Sequence, residues 1–189
     1  GLIINGGTGN IVRNNIIYGN YLNEVWGERN SQWGIYVFPR AGSVNGGPNK
    51  IYNNTIWNHQ GPGAVGIKIE DNWGGVGGNE IRNNISYQNG NDIYIGSLGM
   101  GSHNLTSNPL FVNASAGDFH LTAGSPAINA GITLPEVPCD FDGNARPAGS
   151  AYDIGAYEYG GSPGSGCSKG PSPSPRPSPS PETTTPPPP

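Results

Sequence analysis

The sharpest chemical signal in the chain is a charged pair two positions apart, Lys68 and Glu70 in "GIKIEDN". On a strand, residues i and i+2 share a face and lie about 7 Å apart by strand rise. A Lys or Arg beside carboxylates could support removal of the proton next to a uronate: the carboxylate, or a calcium ion it holds, neutralises the acid while the base takes the proton. Two similar stretches, "GIYVFPR" and "DIYIGSL", put Tyr36 and Tyr94 in the position of Lys68, with Arg40 ending the first. Lys68, Glu70 and Arg40 are therefore the candidate catalytic residues. The stretch "YLNEVWGERNSQW" carries Glu24, Trp26, Glu28, Arg29 and Trp33. Aromatic faces bind sugar rings, and carboxylates serve as acid, base or calcium ligand, so these five join Tyr36 and Tyr94 as candidate binding residues. "CDFDGNARP" offers Asp140, Asp142 and Asn144 at alternate positions, a spacing that can wrap Ca²⁺ with oxygen ligands, although the later bidentate Glu of a calcium loop is missing. Each has a plainer reading: charged and Tyr side chains clothe any solvated strand face, and Asp and Gly are ordinary turn residues.

The elements that would position these residues are written as a repeat. "IVRNNIIYGN", "KIYNNTIWNH" and "EIRNNISYQN" set Val12, Ile51 and Ile81 in one apolar column. Asn14, Asn53, Asn83 and Asn15, Asn54, Asn84 then form two polar columns, and a degenerate fourth copy, "SHNLTSN", adds Asn104 to the second. Between the copies lie the Gly-Ile units, in which Ile35 and Val37, Ile67 and Ile69, Ile93 and Ile95 alternate with Tyr36, Lys68 and Tyr94. That is the period of a strand with one buried face, and "GLIING" supplies the same unit at the start. Connections between like strands are far too long for hairpins, so like strands stack in parallel about 4.8 Å apart, with unequal loops on one side.

The Asn pair then reads as a corner. Asn tolerates left-handed backbone geometry, and stacked Asn amides can satisfy one another from coil to coil. The sequons "NNT", "NIS" and "NLT" are read as parts of that ladder, and His103, in place of the first Asn, as its end. In the strand after the corner two registers stay open. Either Ile16, Thr55, Ile85 and Leu105 with Tyr18, Trp57 and Tyr87 face the core, or Ile17, Ile56 and Ser86 do.

Bulk composition narrows the classes. The domain holds 12 acidic against 7 basic residues over 1–161, a net of −5, and nothing basic clusters as nucleic acid would require. No apolar run approaches the roughly 20 residues of a membrane span. Most of the 19 Pro fall in 162–189, which reads as an extended, disordered Pro/Ser-rich linker. The opening strand pattern suggests a fragment, cut within a domain at one end and within a linker at the other. Cys139 and Cys167 either close a loop, as in a secreted protein, or are unrelated thiols.

The Gly-Ile strand, the Asn-Asn corner and the long loops resemble the right-handed parallel β-helix of the pectate-lyase-like superfamily over residues 1–113. "NPLFVNASAGDFHLTAGSPAINAG", "CDFDGNARP" and "DIGAYEY" resemble the terminal module of bacterial extracellular β-helix proteins. The resemblance implies an all-β solenoid of about four coils, 1–113, and a capping module, 114–161, in which "DFHL" and "DIGAYEY" are short strands covering the last turn. It also implies a secreted protein acting on a polysaccharide laid along the Gly-Ile sheet, with a lyase on an acidic glycan as the leading reading. A glycoside hydrolase and a non-catalytic carbohydrate-binding protein are the alternatives, and a further module is expected beyond the linker. The Asn-Thr-Asp, Asp-Asp, Gly-His-Gly and Arg-Ile-Lys set of polygalacturonase-like members and the Arg-x-Pro-x-x-Arg pattern of pectate lyases are absent, so that, if the intact protein is an enzyme, its main site is expected in coils upstream of Gly1.

Overall fold

A computed structural model of the chain describes residues 1–20, 33–38, 48–70, 77–97 and 99–170. Among these the protein is all-β, with one 3₁₀ turn at Ala114–Ala116. The first repeat supplies β1 (Leu2–Asn5), β2 (Ile11–Arg13) and β3 (Ile16–Tyr18). The second supplies β4 (Trp33–Phe38), β5 (Lys50–Tyr52) and β6 (Thr55–Trp57), and the third β7 (Val65–Ile69), β8 (Asn79–Arg82) and β9 (Ile85–Tyr87). β10 (Asn91–Ile95) and β11 (Gly99–Ser102) follow, and then an antiparallel pair, β12 (Phe111–Asn113) with β13 (Asp118–Leu121).

Like strands pair in parallel, one per repeat, in the orders β1-β4-β7-β10, β2-β5-β8-β11 and β3-β6-β9, an arrangement compatible with a solenoid. The register is the one the apolar columns dictate. Ile35 pairs with Ile67, which pairs with Ile93, and Val12 with Ile51, which pairs with Ile81. These residues turn inward with Ile4, Val37, Ile56 and Ile69 to form one aliphatic cluster, in which the six isoleucines from the second and third repeats are fully enclosed. Burying such a side chain is worth about 1.5–3 kcal/mol, so this interior is the main cohesive element.

The strands are short because corners recur every five residues. Asn10, Asn15 and Asn20 mark the first repeat, Asn49, Asn54 and His59 the second, and Asn79, Asn84 and Asn89 the third. The residue before each corner is repeatedly left-handed, as at Asn14 (φ 53°), Asn53 (φ 49°), Asn58 (φ 59°), Asn83 (φ 55°) and Gln88 (φ 58°). The two Asn of each pair therefore have different tasks. The second forms the continuous ladder: Asn15 donates N–H and Nδ2–H to Oδ1 of Asn54, Asn54 to Asn84 and Asn84 to Asn104, at 2.9–3.0 Å, whereas the first column has one longer bond, from Asn83 Nδ2–H to Asn53 Oδ1 at 3.4 Å. A parallel ladder joins Asn10, Asn49 and Asn79. The first Asn reaches outward, from Asn14 to the Cys139 carbonyl and from Asn53 to those of Asp153 and Gly155.

The strand after the corner settles in the second of its two registers. Ile17 and Ile56 join the interior cluster and Ser86 lies in register with them. Ile16, Tyr18 and Trp57 pack outward against Phe119, Ala156 and Tyr157, while Ile85, Tyr87 and Leu105 pack against Leu121, Ala127 and Ile154. The aromatic column is thus a packing surface. The segment that covers it runs along the flank of the stack and touches all four repeats, rather than lying only over the last turn.

"DFHL" forms β13 as expected, but "DIGAYEY" is not a strand. Its main-chain N–H groups make no strand ladder: Asp153 N–H goes to Glu158, Glu158 N–H to Asp140 and Tyr159 N–H to Asp153, while those of Ile154, Gly155 and Ala156 go to the Ala127 and Asn83 carbonyls and the Thr55 hydroxyl. Arg146 and Glu158, both with fully enclosed side chains, pair at 2.5 Å at the centre of this net. Cys139 and Cys167 are bonded, with Cα atoms 5.8 Å apart, which ties 162–170 to the segment beginning at Cys139. Closing a 28-residue separation is worth about 3–4 kcal/mol.

Candidate functional site

The outer face of the β1-β4-β7-β10 sheet carries one column from four repeats: Ile3, Tyr36, Lys68 and Tyr94, each directly paired with the next. Strand alternation puts them there, because their neighbours Ile35 and Val37, Ile67 and Ile69, Ile93 and Ile95 turn into the interior cluster. The Gly of the Gly-Ile unit has a steric cause. A Cβ on Gly34 would stand 2.5 Å from the Gly66 carbonyl oxygen and 2.9 Å from His59 Nε2, and one on Gly66 would meet Ser86 Oγ at 2.0 Å. Only Gly allows the strand to start that close to the corner.

Lys68 is the centre of the face. Its ammonium lies 5.7 Å from the Trp33 ring, 5.2 Å from Tyr36 and 5.9 Å from Tyr94, within cation–π range of three aromatic rings. It also pairs with Glu70 at 2.6 Å, so the side chains close the 7 Å that strand rise alone would leave. Glu70 is 7 % exposed, and its Oε2 also accepts the Tyr36 hydroxyl at 2.9 Å. Burial, and then the bond to this carboxylate, push the Tyr36 hydroxyl well above the usual phenol range, so it stays a donor at any ordinary pH. Trp33 and Tyr36 rings lie 4.0 Å apart and Tyr36 stacks on Phe38 at 4.8 Å. Tyr94, at 42 %, is the exposed edge of the cluster.

Of the candidate residues, the structure therefore brings together Lys68, Glu70, Trp33, Tyr36 and Tyr94. It is not the open, solvated strand face that the alternation suggests, since Glu70 and Tyr36 are buried. Glu24, Trp26, Glu28, Arg29 and Arg40 lie outside the described residues.

The three candidate calcium ligands have the following partners in the structure. Asp140 takes both Asn144 nitrogens and the Glu158 N–H. Asp142 turns away to His120 and Lys169. Among the described residues no group of three or more His, Cys, Asp or Glu side chains is arranged to hold a metal ion. Asp142 instead belongs to a second polar cluster, with Asp118 and His120, which no spacing in the sequence had brought together. Its only local trace is the i, i+2 placement of Asp118 and His120 in "DFHL".

Comparison of the chain with protein-family profiles, with curated proteins and with solved structures finds no match.

Proposed function

We propose that this chain belongs to a secreted right-handed parallel β-helix protein of about four coils, with 114–161 as its terminal module, that binds an extracellular polysaccharide on the Tyr36–Lys68–Tyr94 face. The observation that carries the reading is Lys68, held among three aromatic rings with its charge balanced by a buried carboxylate. A sugar ring presents apolar C–H groups on one side and hydroxyls at its rim. Trp33 and Tyr94 suit the first, and the Lys68 and Glu70 pair suits the second. The ammonium has three N–H donors, of which Glu70 takes one, so hydroxyls or a uronate carboxylate can accept the others.

Retention on immobilised glycans tests this, with an acidic polyuronate and a neutral glucan compared side by side. Tyr94→Ala and Lys68→Ala are expected to weaken retention about tenfold or more, in line with the loss of a stacking or charge-assisted contact. Unchanged retention in both would remove the reading. Preference for the polyuronate would add that the Lys68 ammonium meets a carboxylate.

A lyase acting on a uronate glycan is the second reading, favoured by one specific observation: the Tyr36 hydroxyl and Lys68 ammonium share Glu70, so two proton-carrying groups meet one carboxylate. It requires Lys68 to act as the base that takes the proton next to the uronate. Unsaturated product absorbance from a polyuronate, with or without calcium, that disappears in Lys68→Ala would establish lyase activity. Retention without such absorbance leaves binding alone.

A further inference from the structure

On the flank, between β13 and the disulfide-joined stretches 139–145 and 162–170, lies a cavity of about 190 Å³. An engineered protein cavity of about 150 Å³ admits benzene, so this one has room for one six-membered ring. Phe141 and Ala116 give it apolar wall, and Asp118, Asp142 and Lys169 give it charge. Tyr157 lines it too, and this side chain is the telling one. It is 5 % exposed, yet among the described residues its hydroxyl makes no hydrogen bond. Burial, and then the charges of Asp142 and Asp118, push that hydroxyl well above the usual phenol range, so it stays a donor and faces the carboxylates of the cavity. Buried hydroxyls are ordinarily paired. The partner of this one has to come from the cavity.

We propose that this cavity binds a single neutral sugar ring, at a site separate from the Lys68 face. Unused hydrogen-bonding capacity of both kinds meets there. Among the described residues Asp118 is bonded through Oδ1 alone, to the His120 N–H and ring, which leaves Oδ2 to accept. The Lys169 ammonium gives Asp142 one of its three N–H groups, at 3.0 Å. The Tyr157 hydroxyl can both give and take. Sugar hydroxyls do the same, so neighbouring ones on a single ring can serve a carboxylate and an ammonium at once, while ring C–H groups meet Phe141. A charged ligand is matched less well, because an anion meets Asp118 and Asp142 and a cation meets Lys169. His120 serves as a brace in either charge state: its nitrogens contact both carboxylates, and its ring lies on Tyr157 with centroids 4.0 Å apart. The opposite wall is fixed by the Cys139–Cys167 bond and by the hydrogen bonds of Ala145 N–H to Ser162 and Gly170 N–H to Phe141. The pocket is therefore formed before any ligand arrives.

The test is an NMR titration of the full chain, disulfide intact and at one fixed pH, with methyl glucoside and methyl galactoside. Glucosamine and galacturonate are their cationic and anionic counterparts. The backbone amides of Gly117 and Phe141 report on this cavity, and those of Lys68 and Tyr94 on the other face. Saturable shifts at Gly117 and Phe141 are expected with at least one neutral glycoside, with weaker binding of its charged counterpart. Tyr157→Phe removes the hydroxyl alone and should weaken that binding about three- to tenfold, the scale of one hydrogen bond. No saturable shift at Gly117 and Phe141 in the wild-type chain with either glycoside would overturn the proposal, and so would shifts confined to Lys68 and Tyr94. Tighter binding of a charged sugar, or an unchanged affinity in Tyr157→Phe, would overturn it as well.

Discussion

At the scale of single residues, the corner at His59 shows what the ladder requires. His59 takes the place of an Asn between Asn20 and Asn89: its Nδ1 accepts the Asn20 N–H at 3.2 Å, and its own N–H goes to Asn89. An imidazole cannot both accept twice and donate twice as an amide does, and the outcome is two buried nitrogens without partners, Asn20 Nδ2 and His59 Nε2. Burial first, and then the nearby Gly1 ammonium, lower the His59 pKa from 6.5 to about 4. Between those values the unfolded chain binds a proton that the folded one refuses. Stability contributed by the neutral ring is therefore lost as pH falls from 6.5 toward 4, by on the order of 3 kcal/mol at 1.36 kcal/mol per pH unit. His59→Asn restores the amide, so urea denaturation should show it at least as stable as the wild type at pH 7 and nearly free of that pH dependence. An unchanged slope below pH 6.5 would mean that another group titrates there. The Arg146 and Glu158 pair argues in the other direction. Glu158→Ala leaves a guanidinium enclosed without its counter-charge, and the expected loss is about 3–5 kcal/mol in the same denaturation measurement.

Elements inherit a direction from these amides. Each ladder Asn donates toward the following repeat and accepts from the preceding one, so the Asn84 side chain serves Asn54, Asn104 and the Ile51 carbonyl at once, while the Asn15 side chain donates to Asn54 and to its own strand. Asn84→Ala should accordingly cost about 3 kcal/mol, from several orphaned buried groups, against about 1 kcal/mol for Asn15→Ala. Equal denaturation midpoints for the two would count against a directional ladder. The strands themselves were legible in the sequence, because Val12, Ile51 and Ile81 are aligned by the Asn pairs that follow them and alternation fixes which face is apolar. The flanking corners were not. Their five-residue spacing from the Asn pair is plain once the structure is known, but His59 interrupts one series and single Asn residues in Gly-rich sequence also read as ordinary turns.

Across the whole molecule, stack and flank are joined by contacts between residues more than 100 positions apart, such as Asn14 with Cys139 and Asn53 with Gly155. No local pattern encodes such contacts. That is why the sequence could place Lys68, Tyr36 and Tyr94 in one column but not reveal that Glu70 is buried, or that His120 and Asp142, 22 residues apart, lie in hydrogen-bond contact. It is also why the terminal segment, legible as a likeness to a cap, turned out to lie along the flank. Phe119 is the centre of that contact: it is 1 % exposed, with its ring 4.8 Å from Tyr18 in the first repeat, 5.7 Å from Trp57 in the second and 5.2 Å from Phe111 beside it. If stack and flank form one cooperative unit, Phe119→Ala should lower stability by about 3–5 kcal/mol and do so equally by every probe. The measurement is urea unfolding followed by tryptophan fluorescence and by far-UV circular dichroism, which reports the sheets. Coincident transitions shifted together are expected. A fluorescence transition that moves ahead of the circular dichroism would instead mean that the flank detaches while the stacked strands remain, and the core alone would then account for the stability of the repeats.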